Sequence, residues 1–257
     1  LIAIVGPTAT GKTALGVHLA EALGGEVISC DSTAVYRGID IGTDKPGLEE
    51  RRGIPHHLID VVEPHETYSA ARYAADAAQA ARDITARGRV PILVGGTGFY
   101  YRALVRGLFP GPAGDPALRA RIDRVAERRG VEFLHRWLSR VDPASAQRIQ
   151  PRDQKRLQRA LEVYLLTGKP LTAHFADTRS PLEGWSILTI GLRDPRPDLQ
   201  ARVARRVDEQ FRRGVVQEVE RLIAGGVPES AHAFTGLVYR QIIEMRRGVR
   251  DEAATRE

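Results

Sequence analysis

The sequence predicts an α/β protein: a parallel sheet covered by helices, with a helical segment inserted into it. Three observations predict this. Short apolar runs rich in β-branched residues alternate with helical stretches from Leu1 to Val94. The first of these runs is followed at once by a glycine turn with the spacing G-x-x-x-x-G-K-T. Between Pro116 and Thr167 helical spacing continues without a convincing strand.

Leu1–Val5 reads as a core strand, Ala14–Leu23 as a helix and Glu26–Cys30 as a second strand. Asp31–Pro64 reads mostly as loop, with scattered Gly and Pro. Tyr68–Arg87 is Ala-rich and helical, and Gly88 ends it. Val90–Val94 is another buried strand, closed by Gly95 and Gly96. Phe109–Pro116 is rich in Pro and Gly and reads as a linker. Trp185–Leu192 restores an apolar strand, and Pro197–Gly214 and Val215–Gly225 have helical patterns. The expected division is a catalytic core, 1–114 with 180–257, and a helical insertion, 115–179.

The chain has 257 residues, 42% of them hydrophobic, enough for a sizeable core. No apolar run approaches the ~20 residues of a membrane span. The single cysteine, Cys30, forms no internal disulfide, which fits a cytoplasmic protein. The formal net charge is +6. From Asp115 to Arg179 there are 14 Lys+Arg and 8 Asp+Glu, so this stretch carries the whole excess. Two readings stay open: a footprint for a polyanion, or a set of solvated Arg-rich helices.

Gly6, Pro7, Thr8, Ala9, Thr10, Gly11, Lys12 and Thr13 match the phosphate-loop pattern between an expected strand and an expected helix. Glycines let several backbone N–H groups converge on one anion, and the helix N-terminus adds positive potential. Lys12 supplies a cation for diphosphate oxygens, and the Thr13 hydroxyl is placed to reach Mg2+. The expected core is therefore P-loop NTPase-like. The motif specifies a diphosphate without specifying its carrier.

Asp31 follows the second strand and faces the same crevice as the loop. It is a Mg2+ ligand, a general base or a capping Asx residue; the sequence alone leaves all three open. Gly95-Gly96-Thr97-Gly98 follows the strand Val90–Val94 at the same edge. It either admits a ligand close to backbone or is a tight turn with a capping Thr. His56 and His57 are adjacent, lack metal-ligand spacing, and read as structural.

Beyond the loop, Asp31-Ser32-Thr33-Ala34-Val35-Tyr36, Asp40–Pro46, Ile54–Leu58, Gly95–Tyr100, Arg156–Val163 and Gly236–Gln241 follow one another in order. This series resembles the signatures of bacterial tRNA dimethylallyltransferases (tRNA isopentenyltransferases) over nearly the whole chain. The resemblance implies that dimethylallyl diphosphate and Mg2+ bind at the phosphate loop. It implies prenyl transfer to the exocyclic N6 amine of the adenosine 3′ of the anticodon. Asp31 is then the general base, and Asp31, Ser32, Thr33, Ala34 and Thr97 meet the extruded base. Arg202 and Arg206, one turn apart, match an arginine pair of which at least one neutralises the diphosphate. Arg119, Lys155, Arg156, Leu157, Gln158, Arg159, Tyr239 and Arg240 match tRNA-contacting positions. A monomer that grips the anticodon stem-loop through its basic insertion is the implied assembly.

The chain departs from that family at three positions. Ala34 and Lys155 stand where relatives often have Gln, and Val238 where they have Gly. Two rival classes share the phosphate loop: a small-molecule kinase, which would bind ATP, and a non-enzymatic, nucleotide-gated RNA-binding module.

Overall fold

The computed structural model describes residues 1–193 and 199–256. Strands β1 (Ile2–Val5), β2 (Gly25–Ser29), β3 (His56–His57), β4 (Val90–Gly95) and β5 (Leu188–Gly191) form one sheet in the order β3-β2-β4-β1-β5. Every pairing is parallel, so the strands end at one common edge. β2 is buried along its whole length, as expected of a central strand covered on both faces. Ile4, Val27, Ile92 and Val94 pack with Ala20 of helix α1 (Lys12–Leu23). Helix α3 (Ala70–Ala86) covers the sheet with a stripe of alanines and Tyr73, whose hydroxyl donates to the Ser29 carbonyl at 3.0 Å. Ser69 caps this helix by accepting the Arg72 N–H.

The chain divides into two compact units: Leu1–Val105 with Pro181–Glu257, and Arg106–Ser180. Besides the sheet, the first unit holds the short α2 (Leu48–Arg51), α4 (Gly98–Arg106, whose last residue opens the second unit), α9 (Leu199–Arg212), α10 (Val215–Ala224), α11 (Leu237–Arg246) and α12 (Glu252–Arg256).

The second unit is helical: α5 (Pro116–Arg129), α6 (Val131–Val141), α7 (Pro143–Arg148) and α8 (Gln154–Thr167). Its core is Ile122, Leu134, Leu138, Leu157 and Leu161. Three of its helices start on an aspartate that accepts backbone N–H groups of the first turn: Asp115 for α5, Asp142 for α7 and Asp153 for α8. Asp115 and Asp142 are followed by proline at the first helical position. Among the described residues no helix is long and apolar enough to cross a membrane.

Candidate active site

The parallel sheet brings three segments that are distant in sequence to one edge. The phosphate loop leaves β1, Asp31 follows β2, and Gly95–Thr97 closes β4. Pairing continues beyond the strands. The Cys30 N–H donates to the Val94 carbonyl at 2.8 Å, and the Thr97 N–H donates to the Cys30 carbonyl at 3.1 Å. This stitching holds Asp31 beside the second glycine turn.

Between β1 and α1 the loop takes unusual backbone. Gly11 (φ 83) caps α1 in the left-handed region, and Ala9 also lies there (φ 62). Gly6 (φ 154) is required by proximity, since a Cβ there would lie 2.5 Å from the Leu192 carbonyl. Lys12 donates to the Pro7 carbonyl of its own loop.

The loop opens into a cleft of about 830 Å³. Its lining includes Thr8–Thr13, Asp31, Ala34, Thr43–Gly47, Gly95, Gly96, Arg206 and Arg213. Thus Arg206 of the expected arginine pair is on the cleft wall; Arg202, one turn earlier, is not part of that lining. Burial and then the like charge of Arg206 hold the Lys12 ammonium below the ordinary lysine value, with Asp31 pulling the other way. Two cations and one carboxylate therefore converge on the mouth of the loop.

Asp31 takes up the Asx role with one oxygen. Its Oδ1 accepts from the Thr33 N–H (2.8 Å), the Thr33 hydroxyl (2.7 Å) and the Ala34 N–H (3.2 Å). Among the described residues Oδ2 accepts no hydrogen bond. Thr97 turns its hydroxyl to Ser32: it accepts the Ser32 N–H at 3.0 Å and donates to the Ser32 Oγ at 3.4 Å. These two bonds tie the second glycine turn to the Asp31 loop. Cys30 is fully buried beneath, and burial pushes its thiol up to about 12, so it is inert at neutral pH.

Of the residues expected at a tRNA surface, Tyr239 and Leu157 are buried and several others are paired within the protein. Tyr239 is buried, its hydroxyl donating to Glu218 Oε1 at 2.7 Å, while Glu218 Oε2 accepts the Asp40 and Ile41 N–H groups. Tyr239 braces the Asp40–Asp44 loop; Gly42 packs so closely on its ring that a Cβ would lie 2.7 Å from Cζ. Arg240 is exposed and pairs with Glu244 at 3.8 Å. Leu157 is a core residue with no exposed surface. Arg119 and Arg159 both bind the fully buried Glu162, Arg119 Nε to Oε1 at 2.8 Å and Arg159 Nη1 to Oε2 at 2.6 Å. Gln158 donates to Asp123 at 2.7 Å. Lys155, Arg156, Arg240 and, despite its bond to Glu162, Arg119 stay exposed, with Arg156 within 3.3 Å of Asp153.

Sequence reading assigned no role to Asp44, which lies within the Asp40–Pro46 block, nor to Gln210, Arg213 and Glu218. The first three converge near Arg206, and Asp44 and Gln210 come from segments 166 residues apart, so no local pattern marks them. The acidic and basic residues at Asp44 and Arg213 were visible; their pairing was not.

A parallel sheet with a phosphate loop at its carboxyl edge and a carboxylate beside it defines a P-loop protein of the kind that acts on a diphosphate ester. The family model of IPP transferases matches residues 34–257. A tRNA dimethylallyltransferase of Thermomicrobium roseum is 50% identical over 250 residues, 96% of this chain and 75% of that protein. One from Koribacter versatilis is 47% identical, over 96% of this chain and 80% of its own length. Among solved structures, a tRNA isopentenylpyrophosphate transferase from Bacillus halodurans superposes with a TM-score of 0.70 at 37% identity, covering 99% of this chain and 80% of its own. A eukaryotic dimethylallyltransferase acting on tRNA superposes with a TM-score of 0.74 at 29% identity, covering 100% of this chain and 67% of its own. The chain belongs to the IPP transferase family.

Proposed function

We propose that this protein is a tRNA dimethylallyltransferase, moving the dimethylallyl group from dimethylallyl diphosphate to the N6 amine of the adenosine 3′ of the anticodon. The observation that carries the reading is the meeting of Lys12, Arg206 and the unengaged Asp31 Oδ2 in one cleft at the phosphate loop. The donor's diphosphate lies on the loop N–H groups and the α1 N-terminus. The adenine amine attacks the allylic C1, the C1–O bond breaks, and diphosphate leaves with its electron pair. Asp31 Oδ2 takes the N6 proton, which an amine delocalised into its ring needs in order to act as a nucleophile. Lys12 and Arg206 meet the charge that gathers on the leaving diphosphate.

The residues fit Mg2+. The Thr13 hydroxyl stands at the start of α1 on the cleft wall. Among the described residues no cluster of three His, Cys, Asp or Glu forms a protein cage. Mg2+ is ordinarily held by one or two protein oxygens plus phosphate oxygens and water. When bound it would add Lewis-acid stabilisation to the departing diphosphate.

The base must leave the anticodon loop to enter the cleft. Lys155 and Arg156 are among the exposed cations of the helical unit and are the ones offered here to the tRNA backbone. The protein is read as a cytoplasmic monomer.

The test is incubation of the protein with dimethylallyl diphosphate, Mg2+ and tRNA, followed by nucleoside mass analysis. Adenosine carrying one dimethylallyl group is the expected product; its absence refutes the reading. Lys12→Ala is expected to weaken binding of the prenyl diphosphate by about 1.5–3 kcal/mol, the range for a hydrogen bond to a charged group. Calorimetry that finds tight ATP binding and none of the prenyl diphosphate would turn the reading to a kinase.

A further inference from the structure

Arg206 does not reach the cleft unaided. Its closest partner is Asp44, whose Oδ2 contacts the guanidinium Nε. Asp44 is held in turn from the same helix and the turn after it: Gln210 donates from Nε2 to Oδ2 at 3.1 Å and to the Gly42 carbonyl at 3.3 Å, and Arg213 Nη1 lies 3.3 Å from Oδ1. Gln210 is itself buried. The backbone around Asp44 is pinned from the other side, since Glu218 takes the Asp40 and Ile41 N–H groups. Asp44 stands at φ 49, a left-handed conformation that Asp and Asn adopt more readily than other side chains.

We propose that Asp44 is a positioning residue: it holds Arg206 by its Nε edge, so that the far end of the guanidinium faces the diphosphate above Lys12. This rests on the transferase reading and deepens it. A guanidinium carries five donors in a planar fork, and a carboxylate on the Nε edge leaves donors on the distal Nη atoms for a second anion. The geometry also accounts for two cations side by side at the phosphate loop. Arg206 is close enough to Lys12 to disfavour its charge, and Asp44 supplies the counter-charge that keeps the pair together.

The inference has a signed consequence. By through-space charge alone, removing an acid beside an anion site strengthens anion binding. If Asp44 acts by aiming Arg206, removing its charge weakens binding instead. Asp44→Asn keeps the shape and tolerates the left-handed backbone, and Asp44→Gly keeps that backbone without a side chain. Binding of inorganic diphosphate with Mg2+ is measured by calorimetry for wild type, both variants, Arg206→Gln and the double variant with Asp44→Asn. Expected is a loss of about tenfold for each Asp44 variant, within the range for residues in direct contact. The double variant is expected to bind no worse than Arg206→Gln alone. In turnover, the donor KM rises and kcat falls in Asp44→Asn, while the tRNA KM stays unchanged, a split that general loosening of the fold would not give. Unchanged or tighter diphosphate binding in both Asp44 variants overturns the proposal, as do losses that add in full in the double variant. A wild type that binds diphosphate but makes no prenylated adenosine defeats the transferase reading alone.

Discussion

Asp31 commits one oxygen to its own turn, and among the described residues the other accepts no hydrogen bond. Oδ1 closes the Thr33–Ala34 turn, and that turn is what points Oδ2 at the cleft. Asp31→Asn keeps an oxygen for the turn and is expected to keep the fold and donor binding, while turnover falls about 10²–10⁴-fold, the range for loss of a general base. Turnover near wild type, with chemistry rate-limiting, would remove the base assignment. The glycines of the second turn are not equivalent. A Cβ on Gly95 would lie 2.2 Å from the Cys30 carbonyl, whereas one on Gly98 meets nothing within 4 Å. Gly95→Ala is expected to force β2 and β4 apart at the site and abolish transfer; Gly98→Ala is expected to leave the melting temperature unchanged. Similar melting curves for the two variants would contradict this. The places of Lys12 and Asp31 at one sheet edge were legible in the sequence because short motifs follow short strands. The bond between Thr97 and Ser32 was not, because the two lie 65 residues apart.

Helix α8 carries cations of two kinds, and the difference lies in what each faces. Arg156 and Arg159 are three residues apart, the spacing of one helix face. Yet Arg159 turns to Glu162 and to the Pro112 carbonyl, while Arg156 stays in solvent beside its own cap, Asp153. Glu162 decides this: it is fully buried, accepts the Asp115 N–H at 2.8 Å, and draws Arg119 from α5, 43 residues away. A buried carboxylate left without its cations costs about 3–5 kcal/mol. Arg159→Glu is therefore expected to unfold the helical unit, and its lost tRNA binding would report misfolding. Lys155→Glu with Arg156→Glu is expected to leave the melting temperature within about 1 kcal/mol equivalent, the scale of exposed ion pairs. In that variant tRNA affinity should fall, with the slope of log affinity against log salt reduced by about 0.7–0.9 per lost phosphate contact. An unchanged slope and affinity would leave α8 without a role in tRNA binding. Charge counting found the basic segment; it could not tell which cations a buried acid had already taken.

Across the whole molecule, strands and helices with their own periodicity were legible: the expected strand Val90–Val94 is β4, Val90–Gly95, and the expected helix Tyr68–Arg87 contains α3, Ala70–Ala86. Elements defined by distant partners were not. His56–His57 lies in a segment that reads as loop, and becomes a strand only because it pairs in parallel with Val27 and Ile28. The same pairing sets His57 against Glu26, a long-range ion cluster that bears on stability. Glu26 is buried and meets His57 Nε2 and Arg87 Nη2, each at 2.7 Å. Asp142 accepts from Ser145 and Thr172 through both N–H and hydroxyl groups, and Glu162 holds its two arginines. Burial works to raise all three carboxyls, but the hydrogen bonds and neighbouring cations together outweigh it and hold each below its ordinary value. A carboxyl depressed in the folded state contributes stability that is present above its unfolded pKa, about 3.9 for Asp and 4.3 for Glu, and lost as pH falls through the folded value. Asp44 runs the other way: burial raises it despite Arg206 and Arg213, so its contribution fades as pH rises. His56, held below the ordinary histidine value first by burial, gives a shallow decline in melting temperature as pH falls through about 6.5, and the depressed carboxyls give the steeper drop below about pH 4. Glu162→Gln, which cannot titrate, should start lower at neutral pH and lose less on acidification. Melting curves that stay level down to pH 3, or an acid drop in Glu162→Gln as steep as in wild type, would show that these buried carboxylates do not set the acid limit of the fold.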